Sequence, residues 1–415
     1  MCGTSEDSQV KRRQLALAAE QGDAEAQGRL GHMHRVGEGG PEDLAEARRL
    51  YGLAAAQGDS GAQFELGSMH HVGNGGPVDD AEARRLLELA AAQGHAVAQY
   101  ALGSMHRRGE GGPVDFAEAR RLFELAAAQG LTNAQCLLGH MHRKGEGGPV
   151  DFAEARRLFG LAAAQGHANA QHALGTMHRV GDGGGPVDSA EARRLLGLAV
   201  AQGHATAQHA LSGMHYNGEG GPVDFAEARR LLGLAAAQGH AQAQYMLGGM
   251  HHNGTGGPVD FAEARRLLGL AAAQGDAMAQ CRLGNMQLAG KGGPKDLAEA
   301  RRLLGLAAAQ GSAEAQIILG TMHRVGQGGP KDLAEARRLL GLAAAQGHAQ
   351  AQYHLGVMHG TGEGGLEDVG EARRLLGLAA AQGDAEATRM LGDMHRTGEG
   401  GPVDFAEARR LYGLA

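Results

Sequence analysis

Apolar residues recur along this chain in two alternating runs, each spaced for a helix. In the run AEAQGRLGHMHRVG, Ala26, Leu30, Met33 and Gly37 stand at −4, 0, +3 and +7 relative to the leucine. Those steps fall on one face of an α-helix, which is therefore the face expected to pack. The next run, DLAEARRLYGLAAAQG, opens with Asp43 and Glu46 as a D-x-x-E capping box and ends at Gly58. In such a box each side chain can accept from an orphan backbone N–H, and a glycine after the last turn ends a helix without strain. The pattern predicts a first helix over about 24–37 and a second over 43–58. The GEGGP linker between them is short, which makes the two antiparallel neighbours.

This pair repeats. Leu-Gly recurs at Leu30, Leu66, Leu102, Leu138 and Leu174, becomes Leu-Ser at Leu211, and returns from Leu247 to Leu391. The period is 36 residues with a single 37, the extra residue being a glycine in Gly183-Gly184-Gly185. Self-similarity at this period means stacked helix pairs, so the predicted fold class is all-α, an α-solenoid of about eleven units. Residues 1–9 are expected to be disordered, 10–22 to form a lone helix, and 23–415 to form the solenoid, its last unit truncated. Most second helices carry a central glycine, such as Gly52, Gly160 and Gly233. Each costs about 1 kcal/mol relative to alanine, unless it permits close packing.

The run AQYMLGGMHHNGTGGPVDFAEARRLLGLAAAQG, residues 243–275, resembles a Sel-one-like repeat, a relative of the tetratricopeptide repeat. Ala243, Leu247, Gly248, Asp260, Ala264, Leu267, Ala271, Ala272 and Gly275 carry the resemblance, which extends from about residue 10 to the end. It implies a right-handed superhelical solenoid of antiparallel helix pairs that binds partner proteins or peptides on its concave face. The chain departs from that pattern where an aromatic is expected after Leu-Gly. Histidine stands there at His34, His70, His106, His142, His178, His215, His251, His323, His359 and His395, and Gln287 in the eighth unit. These histidines are read as small rings filling a tyrosine-like slot.

The units differ from one another mainly off the constant face. Two residues before the leucine come Phe64, Tyr100, His172, His209, Tyr245, Ile317 and Tyr353. Five residues after it come Arg35, Arg107, Arg143, Arg179, Arg324 and Arg396. Both rows share one helical stripe, and the resemblance places it in the concave groove. Rings and guanidinium groups are good contact chemistry, so these residues are the candidate partner-binding site. Drift of recently duplicated units is the competing explanation.

Composition agrees with an array. Glycine is 71 of 415 residues, tryptophan is absent and the formal charge is −7. That charge carries no general signal for nucleic acid or an anionic membrane. The Arg-Arg pairs, such as Arg48-Arg49, are read as a solvated face beside Glu46. Cys2, Cys136 and Cys281 do not follow the repeats, which argues against a disulfide framework. No apolar run approaches a membrane span, and a monomer in the cytoplasm is expected. Among the 22 histidines none pairs with another at i,i+3 or i,i+4, so no cofactor or metal is expected. Cys136 with His140 is the one weak candidate for a metal. No nucleophile motif, phosphate loop or paired-carboxylate site stands out, and capping residues repeated eleven times are poor candidates for a catalytic centre. A non-enzymatic scaffold or adaptor is the expected function. A ligand-binding or hydrolase-like member of the family and a structural spacer are the alternatives.

Overall fold

The computed structural model describes residues 3–413, with side chains from residue 7 onward. Cys2 lies outside the described residues. Among them are 23 α-helices, one short 3-10 turn at Asp182–Gly184, and no strand. The chain divides into two compact halves, Met1–His204 and Ala205–Ala415.

The first half holds α1 (Gly3–Glu20) and five pairs: α2/α3 (Ala24–Val36, Leu44–Ala56), α4/α5 (Ser60–Val72, Asp80–Ala92), α6/α7 (Ala96–Arg108, Phe116–Ala128), α8/α9 (Thr132–Lys144, Phe152–Ala164) and α10/α11 (Ala168–Val180, Ser189–Ala201). The second half holds α12/α13 (Ala205–Asn217, Phe225–Ala237), α14/α15 (Ala241–Asn253, Phe261–Ala273), α16/α17 (Ala277–Ala289, Leu297–Ala309), α18/α19 (Ala313–Val325, Leu333–Ala345), α20/α21 (Ala349–Thr361, Val369–Ala381) and α22/α23 (Ala385–Thr397, Phe405–Tyr412). Helix α1 starts well before residue 10, where the periodicity placed the first helix.

Within a repeat the two helices meet through the constant face. Ala98, Leu102 and Met105 of α6 share one buried cluster with Leu122 of α7 and with Ala83, Leu87 and Ala90 of the preceding α5. The glycine of Leu-Gly lets the helices close: a Cβ at Gly103 would stand 3.0 Å from the Phe123 ring. The central glycines of the second helices have no such role. Nothing lies within 4 Å of a Cβ placed at Gly52, Gly160 or Gly233.

The capping box forms in half. Asp43 accepts from Glu46 N at 2.9 Å. The Glu46 carboxylate does not reach back; it holds the Arg49 guanidinium at 2.6 and 2.8 Å, and the Asp43 N–H donates to the His34 carbonyl at 2.8 Å. The second helix thus begins on a hydrogen bond that its cap donates to its own first helix.

Consecutive repeats are joined by two polar ladders. In one, the first arginine of most Arg-Arg pairs crosses to the next repeat and donates to the histidine there. Arg48 Nη2 lies 2.7 Å from His70 Nδ1, Arg84 2.8 Å from His106, Arg229 2.7 Å from His251 and Arg337 2.7 Å from His359. Arg48, Arg229 and Arg337 also donate to loop carbonyls, as Arg48 does to Pro77 at 3.3 Å. The solvated-face reading therefore holds only for the second arginine of each pair. A tyrosine-like slot also describes the histidine incompletely: Gln287 accepts from Arg265 in the eighth repeat, so an acceptor is what the position needs. At the joint to the fifth repeat, whose loop has the extra glycine, Arg156 of the fourth turns to the Asp182 carbonyl at 3.0 Å.

The second ladder is built of buried glutamines. Gln99 is 3% exposed. Its Nε2 donates to the Ala91 carbonyl of the preceding second helix at 3.2 Å, and its Oε1 accepts from Gln129 of its own second helix at 2.8 Å. One side chain thus ties three helix ends together. The loop glycines complete the joint: Gly75 has φ +70°, and a Cβ there would stand 2.1 Å from the Leu44 carbonyl.

Candidate functional site on the first-helix face

The stripe of varying residues lies where first helices of successive repeats meet. Its rings are half-buried, because each leans on a neighbour. Phe64 stacks on His95 with centroids 5.2 Å apart, His172 on His204 at 5.1 Å and His209 on His240 at 5.0 Å. Tyr100 tilts against Phe123 of its own repeat at 5.7 Å, and Tyr353 against His354 at 5.1 Å. Tyr245 packs beside the core formed by Ala264 and Leu268. Ile317, at 7% exposed, belongs to the interior, as do Cys136 and Cys281 of the same row.

The stacked histidines have a second task that periodicity did not reveal. His95 Nδ1 accepts from Ala98 N at 3.1 Å and His240 Nδ1 from Ala243 N at 3.2 Å, so each caps a first helix. Aspartate holds the same place at Asp23 and Asp59. The alternation of Asp, Ser and His just before each A-x-A-Q was the available signal. A capping Nδ1 must be unprotonated, since it accepts.

The arginine row also faces forward. Arg107 Nε donates to Glu146 at 3.0 Å and Arg324 Nε to Glu363 at 2.6 Å, each to an acid in the next repeat's loop. Arg35 lies 3.7 Å from Glu65, and Arg143 lies 3.9 Å from Asp182. Arg179 is half-buried and also engaged. Arg396 stays within its own repeat, 3.5 Å from Asp393. The side chains of these pairs are between 20% and 56% exposed, so solvent screens them and they set position more than stability.

Hollows open between these side chains. In the first half Gly28, His32, Phe64 and Glu65 border a space of about 460 Å³. In the second half Tyr245, His252, Met278 and Arg282 border one of about 630 Å³. Hollows also open between second helices, of about 670 Å³ beside Gly233 and 460 Å³ beside Gly305. Those two are lined by corresponding residues, such as Arg229 and Arg301, Leu270 and Leu342, and so reproduce the repeat. The hollows of the first-helix face are each lined differently.

Burial keeps two histidines of this face neutral. Desolvation pushes His172 down to about 4, helped by His204, and His140 down to about 4, helped by Arg143. The Cys136 thiol is pushed up to about 11 by burial alone. A thiol held protonated is a poor metal ligand. His140 packs edge-on to Phe159 at 4.8 Å, and no three His, Cys, Asp or Glu side chains converge on a metal position among the described residues. No helix among the described residues is long and apolar enough to cross a membrane.

The Sel1 repeat family matches the chain at residues 24–59, 60–95, 96–131, 132–167, 168–204, 205–240, 241–276, 277–312, 313–348, 349–384 and 385–415. Among solved structures, the chain is similar to c5321, a protective antigen of uropathogenic Escherichia coli displaying an SLR fold. That likeness has 31% identity and a TM-score of 0.83, covering 97% of this chain and 86% of the other. A Sel1 repeat protein from Oxalobacter formigenes is 32% identical with a TM-score of 0.59, covering 75% of this chain and 89% of its own. No curated protein matches the chain.

Proposed function

Because the chain belongs to the Sel1 repeat family, we propose that it is a non-enzymatic scaffold that holds partner proteins or peptides along its first-helix face. One observation carries this reading. The positions that differ between repeats, Gly28, His32 and Phe64 in one half and Tyr245, Cys281 and Asn285 in the other, converge on hollows of that face. The hollows between second helices are uniform. A uniform wall offers every repeat the same contact, whereas a varied one can read a particular sequence. Phe64, His172 and His209 are already held by stacking on the next repeat's cap, and Tyr100, Tyr245 and Tyr353 by packing within their own repeats, so little side-chain entropy is lost when a partner covers them. The ion-paired arginines around them form the polar rim such a contact needs.

The test uses peptides selected by the full chain from a displayed random library. Tyr100, Tyr245 and Tyr353 are changed together to alanine, and Leu125, Leu234 and Leu342 of the second-helix face are changed together as the comparison. Both variants are first checked for cooperative melting. The selected peptides should lose about tenfold or more in affinity for the tyrosine variant and keep it for the leucine variant. Retention by the tyrosine variant would overturn the reading.

A further inference from the structure

The first and last repeats place a tyrosine at the same point of the second helix, and only one of the two is satisfied. Tyr412 donates its hydroxyl to Asp393 Oδ1 at 2.8 Å. Asp393 stands two residues after its core leucine and is flanked by Arg396 and Arg389, each 3.5 Å from it. The first repeat keeps the tyrosine as Tyr51 and the following arginine as Arg35. It carries His32 where Asp393 stands and Gly28 where Arg389 stands. The pair that holds a carboxylate in the last repeat is therefore present in the first without one.

The side chains around Tyr51 register that lack. Tyr51 is 2% exposed. Neither its hydroxyl nor Arg35 Nε has a hydrogen-bond partner among the described residues. His32 turns Nδ1 toward Arg35 Nη2 at 3.3 Å. Glu65 Oε2 is 3.7 Å from Arg35 Nε, an ion pair too long for a hydrogen bond. Burial raises the Tyr51 phenol above its ordinary value, and the Arg35 guanidinium beside it pulls the other way without completing a bond of good geometry. The phenol thus stays a donor at neutral pH. Buried donors without acceptors are rare in folded proteins and call for a partner. A way in exists. Tyr51 borders the hollow of about 460 Å³ next to Gly28, where nothing lies within 4 Å of a Cβ; of the three acids that also line it, Glu25 is paired with Arg29, Asp59 caps Ala62 and Glu65 faces Arg35.

We propose that this hollow is a carboxylate subsite of the groove, taking an acidic group of a partner peptide into the place that Asp393 fills in the last repeat. The guest passes Gly28, and Arg35, whose side chain is 33% exposed, swings to admit it. The carboxylate accepts from the Tyr51 hydroxyl and from the Arg35 guanidinium, a charge-assisted arrangement that satisfies both buried donors. Phe64, stacked on His95, forms the apolar wall for the guest's aliphatic stem. The proposal rests on the reading of this face as a peptide groove.

The test observes the six tyrosines of the full chain by NMR with ring-carbon labelling, and Tyr51→Phe identifies the Tyr51 signal. Three probes are titrated: N-acetyl-glutamate α-amide, with a side-chain carboxylate only; N-acetyl-alanine, with a terminal carboxylate only; and N-acetyl-glutamine amide, with none. One or both carboxylate probes should shift the Tyr51 signal saturably, and whichever does so names the source. The neutral probe should bind about tenfold more weakly or not at all. Arg35→Gln should weaken the effect, and His32→Asp should abolish it by supplying the internal carboxylate of the last repeat. No saturable shift with either carboxylate, an equal shift with the neutral probe, or undiminished binding by H32D would each overturn the proposal. If library-selected peptides still bind through the tyrosines when the probes do not, the subsite alone is wrong. If the probes bind and those peptides do not depend on the tyrosines, the broader groove reading is wrong.

Discussion

Arg120 reaches from one repeat into the next and places Nη2 2.8 Å from Nδ1 of His142, a ring only 7% exposed. Arginine can only donate, so the joint between repeats depends on an imidazole that is neutral on the facing nitrogen. Arg120→Ala should lower stability by about 1–3 kcal/mol, since a buried acceptor loses its charged donor. His142→Gln should cost clearly less, because Gln287 already accepts from Arg265 in the same position. The urea midpoint of the full chain distinguishes them. Equal losses would mean that the ring's shape matters and not its lone pair.

The same neutrality predicts acid sensitivity. His70 is lowered by burial first and by Arg48 next, with Asp79 and Glu82 opposing and Arg85 adding to the effect. His106, His142, His251 and His323 are lowered in the same way. Groups with a depressed folded pKa contribute stability that is full above the unfolded value of about 6.5. That contribution is lost as pH falls from there toward the folded values, which reach about 4 at His140 and His172. The melting temperature should therefore drop between pH 7.5 and pH 5. Replacing His70, His106, His251 and His323 together by glutamine should flatten that slope. Identical melting at the two pH values would refute the account.

Two kinds of helical glycine should respond in opposite directions. Gly233→Ala meets open space and should stabilise by about 0.5–1 kcal/mol through helix propensity. Gly103→Ala would press a methyl group to 3.0 Å from Phe123 and 3.3 Å from the Ala119 carbonyl, and should destabilise by about 1–3 kcal/mol. Thermal unfolding of the two single variants provides the comparison.

Gln99 is the test of the buried ladder. Gln99→Leu removes the donor to Ala91 O and the acceptor for Gln129, and should cost about 1–3 kcal/mol. The loss should be local, with faster amide exchange at the C-terminal ends of α5 and α7. Unchanged exchange there would mean that apolar contacts alone hold those ends.

Much of the architecture was legible before any coordinates. The spacing of Ala26, Leu30 and Met33 identified the buried face, and Asp43 and Gly58 marked where the second helix starts and stops. The histidines were the harder case. Their period was plain, but the arginine that faces each one lies 22 residues earlier, on a different helix of a different repeat. The recurring glutamines were overlooked because a polar residue in A-x-A-Q reads as surface, whereas Gln27, Gln63 and Gln99 are all under 5% exposed. The stripe from Phe64 to Tyr353 was found by comparing repeats. That Phe64, His172 and His209 stack on the next repeat's caps was not visible in such a comparison.

The sequence by itself determined the secondary structure, the period and the face that packs, because those depend on residues within one or two turns of each other. Only the tertiary structure decided which polar groups meet between repeats. Arg48 and Arg49 are chemically identical neighbours, yet one holds His70 across the joint and the other holds Glu46 on the surface. A step of about 100° around the helix sends them to different environments. What lies in each direction is set by how the next repeat stacks, which no local pattern encodes.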